Sequence, residues 1–184
     1  MPLNFKKPFK INKKTKSKYV LKCIKMAIKM SQQKKILGFI NCPINKNDIF
    51  NSNFGLTEYL AKNSNVLGKE AMIIYNKKLS VCPITTHIQI KNISKNLSKK
   101  IIYEKIVTIN KFYLNYFHFK PKICVLGLNP HNYELKNNSE EKRIILPTII
   151  KLKKKGIKVN GPIPADTAFN KRKRFDILVG MYHD

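Results

Sequence analysis

Three of the chain's four histidines stand at matching places: His87 in Thr85-Thr86-His87, His131 in Gly127-Leu-Asn-Pro-His131 and His183 in Met181-Tyr-His-Asp184. Each follows a short apolar run, Leu79–Ile84, Ile123–Leu126 and Phe175–Met181 in turn, of the kind that forms a buried strand. Neutral imidazoles are good ligands for a divalent ion, and three of them with an open fourth position suit a catalytic ion such as Zn²⁺. A lone histidine after a strand is ordinarily a surface or hydrogen-bonded residue, and these three lack the close spacing of His-Glu-x-x-His. Their equivalent positions are what point to one shared ion. His118, amid Tyr116, Phe117 and Phe119, reads instead as a packing or surface residue. Cys23, Cys42, Cys82 and Cys124 are far apart and make no Cys-x-x-Cys pair, so they read as reduced thiols rather than zinc or redox ligands.

Strands that carry ligands at their carboxyl ends need a sheet to align them, because open α/β sheets bind ligands outside those ends. Ser17 is the expected cap of a helix to about Met30, with Val20, Leu21, Ile24 and Ile28 inward and Lys22, Lys25 and Lys29 outward. Ile36–Ile40, closed by Asn41-Cys42-Pro43, reads as a strand, and Thr57–Ala61 as a short helix. Ala71–Tyr75 and Leu79–Ile84 read as a hairpin joined by Asn76-Lys77-Lys78. Ile102, Ile106, Ile109 and Tyr113 recur at helical spacing and predict a long helix from about Ser98 to Phe117. A second helix is expected from about Ser139 to Lys155, closed by Gly156, with Pro147 marking a kink or a later start. Helices alternating with short β-rich runs predict an α/β fold with the sheet covered on both faces.

The formal charge of +27 raises the question of a polyanionic partner. Only Arg143, Arg172 and Arg174 among the 37 basic residues are arginine, and the lysines are scattered through every segment. Nucleic-acid sites favour arginine and interleaved aromatics on one face, so the pattern reads as A/T-biased codon usage rather than a nucleic-acid surface. No apolar run approaches the roughly 18–20 residues of a membrane span, and the basic N-terminus lacks the apolar segment of a signal peptide. A cytoplasmic protein with no membrane partner is expected.

The words around the histidines are more specific than the histidines. Gly127-Leu-Asn-Pro-His131, Gly161-Pro-Ile-Pro-Ala-Asp-Thr167 and Met181-Tyr-His-Asp184 occur in the order and approximate spacing found in one enzyme family. Thr85-Thr86-His87, Cys42-Pro-Ile-Asn-Lys46 and Gly55-Leu-Thr-Glu-Tyr59 fit its other loops. From about Tyr19 onward the chain resembles the 4-hydroxythreonine-4-phosphate dehydrogenase family of pyridoxal phosphate (vitamin B6) synthesis.

The resemblance implies a three-layer α/β/α fold, isocitrate/isopropylmalate dehydrogenase-like, of which residues 1–184 form a partial region. It implies NAD-dependent oxidation of 4-phosphooxy-L-threonine and decarboxylation to 3-amino-2-oxopropyl phosphate, assisted by a divalent metal (Zn, Mg or Co). His87, His131 and the partner subunit's His183 would be the ligands, at a homodimer interface. Thr57 matches a substrate-contacting threonine, and Lys46 is placed to meet the substrate's phosphate or carboxylate. Asp166 would orient a ligand histidine or move a proton, its alternative being to cap the next turn. The family does not use Gly-x-Gly-x-x-Gly, so the lack of that motif here leaves NAD in place.

The chain also departs from the family. Leu56 stands where the family has a substrate-touching histidine, and Asn132-Tyr-Glu-Leu-Lys136 replaces a glycine-rich turn, with only Glu134 in keeping. The family's glycine-rich opening strand, and a later segment with substrate-binding Lys, Asn and Arg, are expected to lie outside this chain. The fold is therefore expected to be incomplete, and activity to need a complementing fragment. The other two readings are a basic nucleic-acid-binding module that reuses the fold, and an inactive gene remnant.

Overall fold

Apolar spacing builds two separate cores. In a computed structural model the chain is described over residues 10–50, 55–130 and 138–183. It divides into a unit up to Gly68 and a unit from Lys69 onward.

In the first unit α1 (Lys13–Gln32), α2 (Lys46–Ile49) and α3 (Leu56–Asn63) gather Ile24, Ile28 and Phe50 into a small core against Leu56, Tyr59 and Leu60. The inward stripe of α1 is the one its spacing predicts. Its start is earlier: Asn12, not Ser17, is the cap, accepting from Lys14 N–H at 2.9 Å. Ser17 lies inside the helix and donates to the Lys13 and Asp48 carbonyls. The expected strand at Ile36–Ile40 is not formed, and Leu37 and Ile40 are 92% and 102% exposed. An apolar run becomes a strand only beside another strand, and the described part of this unit is helical.

The second unit is built on a parallel sheet of β1 (Ser80–Thr85), β2 (Ile123–Leu126), β3 (Val159–Ile163) and β4 (Ile177–Tyr182), in the order β1-β4-β2-β3. One face carries Cys82, Ile84, Ile123, Val125, Ile177, Val179 and Met181 and is covered by α5 (Lys99–Phe112) and α6 (Leu146–Lys154). Ile102, Ile106, Ile109 and Tyr113, the stripe read from sequence, are all buried there. The other face carries Cys124, Leu126 and Leu178 and packs on Ala168 of the short α7 (Ala165–Asn170). Helices thus lie on both faces, as an α/β/α arrangement requires.

Local chemistry sets the element ends. Ser98 caps α5, accepting from Ile101 N–H at 3.2 Å, and a π-helical turn, Tyr113–Phe117, continues it. A short α4 (Ile93–Asn96) precedes it. The helix expected from Ser139 has a π-helical turn, Glu141–Ile145, and becomes α-helical only at Leu146, with Pro147 in its first turn. Pro147 lacks an N–H, so the ladder changes there. Of the expected hairpin, the first strand shrinks to one bridge, Ile74 with Val81. β3 was not predicted: its Val-Asn-Gly-Pro-Ile sequence carries two strand breakers.

Candidate metal centre

Parallel strands end on the same side of the sheet, and β1, β4 and β2, the strands before the three histidines, are consecutive neighbours. Thr85 of β1 pairs with Tyr182 of β4, so His87 and His183 emerge two and one residues past the same edge. The buried Thr85 hydroxyl donates to the Met181 carbonyl at 2.7 Å, tying the two strand ends together. The imidazole rings of His87 and His183 lie 6.5 Å apart, centre to centre, with planes 25° from parallel. Two imidazoles on one tetrahedral ion have centres about 5 Å apart, given nitrogen–ion distances of about 2.0–2.1 Å, so the spacing seen here is wider than that of two ligands of one ion. Both rings are exposed. Within one chain His183 is thus the neighbour of His87.

His87 has a positive φ of 56°. Non-glycine residues seldom adopt that conformation, which costs on the order of 1–3 kcal/mol and gathers at functional sites. It turns the chain sharply at the end of β1, beside His183.

Next to this pair a cavity of about 480 Å³ opens on the α7 side of the sheet. Pro83, Leu126, Gly127, Asn129, Tyr182 and His183 line it, mostly with apolar surface. That size takes a small substrate or one end of a cofactor.

His131 lies outside the described residues. The chain leading to it does not: Gly127 N–H donates to the Ile163 carbonyl at 3.0 Å, and Leu128 and Asn129 donate backbone N–H groups to Glu141, each at 2.9 Å. Asp166, in the first turn of α7, is exposed and accepts from the N–H of its neighbour Thr167 at 2.5 Å. Lys46 begins α2 and Thr57 is the second residue of α3, both in the first unit. Leu56 is half-buried and packs against the apolar core of that unit. His118 is exposed at the end of the π-helical turn.

The cysteines add no ligand. Burial pushes the Cys82 thiol up to about 11, with Lys105 opposing, and burial pushes Cys124 up to about 12, so both stay protonated at neutral pH. The Ser94 hydroxyl donates to Glu140 and holds its carboxyl below the usual range, although partial burial acts the other way.

Residues 2–184 match the family described as pyridoxal phosphate biosynthetic protein PdxA. The chain belongs to that family. A 4-hydroxythreonine-4-phosphate dehydrogenase of Sulfurihydrogenibium sp. is 44% identical over 164 residues, covering 86% of this chain and 50% of that one. A D-threonate 4-phosphate dehydrogenase of Pectobacterium atrosepticum is 33% identical over 172 residues, covering 89% and 52%. The crystal structure of the 4-hydroxythreonine-4-phosphate dehydrogenase from Klebsiella pneumoniae superposes with a TM-score of 0.83 at 31% identity, covering 92% of this chain and 54% of that one. A terephthalate 1,2-cis-dihydrodiol dehydrogenase from Burkholderia xenovorans, 21% identical with a TM-score of 0.73, shares the fold. The chain spans about half the length of the curated relatives it matches.

Membership in the PdxA family accounts for the motifs, and the fold shows what they do locally. Gly161 of Gly-Pro-Ile-Pro has φ +133° and sits against the β2 backbone, where a Cβ would lie 2.2 Å from the Val125 carbonyl oxygen. Sequence reasoning missed Glu141, the third residue of the helix expected from Ser139. Its one legible signal was adjacency: two glutamates, Glu140 and Glu141, shortly after the Asn-Pro-His loop.

Proposed function

We propose that this chain carries the metal-binding part of an NAD-dependent dehydrogenase that oxidises 4-phosphooxy-L-threonine, after which carbon dioxide is lost to give 3-amino-2-oxopropyl phosphate. The observation that supports it most is the His87–His183 pair at the carboxyl ends of two neighbouring parallel strands, tied by Thr85. The donors suit a divalent ion such as Zn or Co better than Mg, which prefers oxygen ligands: two imidazoles with centres 6.5 Å apart, with the third, His131, following the next strand in sequence. Bound there, the ion would supply Lewis acidity toward the substrate oxygen and NAD would supply the capacity to take up hydride.

The chain's own residues would do the rest. His87, His131 and His183 fix where the substrate hydroxyl sits. The apolar cavity beside His183 keeps water from the carbon that loses hydride. Oxidation releases the hydroxyl proton, and loss of carbon dioxide leaves a carbon that must gain one. Asp166 and Lys46 are the proposed proton carriers, Lys46 also meeting phosphate or carboxylate, and Thr57 is the proposed substrate contact. Leu56 offers no hydrogen bond beside Thr57, so the substrate's anionic end is expected to be held more weakly than in relatives with a polar residue there. The working assembly is proposed to be a homodimer with the exposed histidine pair at its interface, in the cytoplasm.

A second reading keeps the chemistry and changes the substrate to D-threonate 4-phosphate, the compound in the name of the Pectobacterium relative. The higher identity to the Sulfurihydrogenibium enzyme, 44% against 33%, favours the first. Calorimetric titration with Zn²⁺ and Co²⁺ tests the site: one ion per chain is expected, with affinity down at least about tenfold in His87→Ala and His183→Ala. Binding that survives both substitutions would sink the proposal. Nicotinamide reduction with each phosphorylated substrate then separates the two readings.

A further inference from the structure

Lysine is scattered along the chain, but the fold does not scatter it over the two ends of the sheet. Lys77 and Lys78 lead into β1, Lys120 and Lys122 into β2 and Lys158 into β3, all of them exposed. The exposed run Lys171-Arg172-Lys173-Arg174 leads into β4, which lies between β1 and β2, and it holds two of the chain's three arginines. Parallel strands start on the same side, so these segments share one edge. Past the carboxyl ends of the strands, residues 86–89, 127–130, 164–167 and 183 hold no lysine or arginine. Codon bias acts along the chain and would not sort cations to one end of a sheet.

The entry segments are bonded side by side. Ser80 N–H donates to the Asp176 carbonyl and Asp176 N–H to the Lys122 carbonyl, each at 3.0 Å, and Ile123 N–H donates to the Lys158 carbonyl at 2.8 Å. Asp176 is the one acid in residues 76–79, 118–122, 156–158 and 171–176, and its carboxylate already accepts Lys122 N–H at 2.7 Å. The edge therefore carries a strongly positive potential. An open hollow of about 430 Å³ is lined by Asn170 and the four basic residues of the run before β4.

Aromatic rings reach the same edge. The helix α5 runs back from the end of β1 to the start of β2, and its π-helical continuation, Tyr113–Phe117, finishes beside the strand starts. Phe117 stacks on Tyr75 with ring centres 5.4 Å apart, and the next residue, Asn76, is bonded to Ser80 at the start of β1. Phe119 directly precedes Lys120. Tyr75, Tyr116 and Phe119 are 53%, 54% and 43% exposed, so each keeps a large part of its ring in water. Exposed rings among cations are what an unpaired strand binds, its bases stacking on the rings and its phosphates following the charge. A duplex keeps its bases stacked inside and offers such rings nothing.

We propose that this amino-terminal edge of the sheet binds single-stranded nucleic acid, with phosphates held by the Lys171–Arg174 run and Lys120, and bases stacked on Tyr116 and Phe119. The surface lies at the opposite end of the sheet from the histidine pair and does not depend on it.

The test is fluorescence anisotropy of labelled oligouridylate and oligothymidylate with the full chain over a range of salt, alongside the thermal unfolding midpoint. Arg172→Gln with Arg174→Gln is expected to weaken binding at least about tenfold and to reduce the slope of log affinity against log salt by about 1.4, or about 0.7 for each lost phosphate contact. Tyr116→Ala should weaken binding about 5–100-fold and leave that slope unchanged. Lys99→Gln with Lys100→Gln, at the start of α5 on the opposite edge, removes the same charge and should leave affinity nearly unaltered. If the double arginine variant does not fold, Arg172→Gln alone takes its place, with half the change in slope. Tighter binding of oligouridylate assigns RNA as the partner, and tighter binding of oligothymidylate assigns DNA. Equal losses in the arginine and Lys99/Lys100 variants would mean attraction to bulk charge and overturn the proposal. So would an unchanged Tyr116→Ala, or a duplex that competes as well as the single strand. Every variant leaves the histidine edge intact, so failure here leaves the metal reading standing.

Discussion

Gly161→Ala should be far more damaging than Gly156→Ala, although both glycines have positive φ, +133° and +76°. At Gly156 an added Cβ meets nothing within 4 Å. The cost there is a left-handed alanine, about 1–2 kcal/mol, partly offset by the stiffer unfolded chain, about 0.4–1 kcal/mol, for a net loss of about 1 kcal/mol. At Gly161 the Cβ lies 2.2 Å from the Val125 carbonyl oxygen and 3.1 Å from the carbonyl carbon, backbone atoms that no side-chain rotation can move. Displacing packed neighbours adds about 1–3 kcal/mol, so a loss of about 3 kcal/mol is expected. That is a large share of the roughly 5–15 kcal/mol that holds a typical domain folded. The displacement also has a direction. β3 is paired with β2, and Gly127 bonds to Ile163 on β3, so pushing the strands apart loosens the loop that leads to His131. Urea unfolding followed by circular dichroism should show a midpoint loss for Gly161→Ala at least twice that for Gly156→Ala. Equal losses, or a milder Gly161→Ala, would refute the close approach of β3 to β2.

Thr85→Val keeps the shape of a buried side chain but removes the hydroxyl that donates to Met181. A loss of about 1–2 kcal/mol in urea unfolding is expected, along with weaker Co²⁺ binding; unaltered Co²⁺ affinity would uncouple that bond from the histidine pair. Alkylation at neutral pH followed by mass measurement should label exposed Cys23 and Cys42 and spare buried Cys82 and Cys124 until the chain is unfolded. Stability should fall in alkali. The two buried thiols ionise from 9.0 in the unfolded chain but only near 11 and 12 when folded, so their contribution is full below pH 9.0 and is lost as pH rises through those values. Urea midpoints at about pH 8 and about pH 10 check this, and a midpoint that stays level in a Cys82→Ser, Cys124→Ser double variant would tie the fall to these thiols.

The parts of the fold that could be read from sequence are those where one residue's surroundings repeat along the chain. Ile102, Ile106, Ile109 and Tyr113 recur at helical spacing because one face of α5 is covered along its whole length. Ile123–Leu126 is apolar throughout because β2 is buried on both faces between β4 and β3. The misses follow from the same logic. β3 is an edge strand, where glycine and proline are tolerated, so its sequence carries breakers and little alternation. Ile36–Ile40 has the apolar content of a strand, but composition does not say whether a neighbour exists to complete the ladder. Histidines could be placed after strands from sequence alone. That His87 and His183 would be neighbours could not, because it depends on β4 pairing with β1.

That strand order also divides the labour within the proposed site. His87 and His183 project from a sheet whose ends are joined by ladder bonds and by Thr85, so their spacing is set by elements with little freedom to move. The residues before His131 have no ladder past Leu126 and take their shape from one carboxylate and one bond to β3. Two ligands on rigid strand ends would bind an ion weakly and in a fixed place. Thr85→Val should therefore shift the Co²⁺ band positions as well as weaken binding, because it loosens the strand ends that space His87 and His183. Bands that stay in place in Thr85→Val would remove that link.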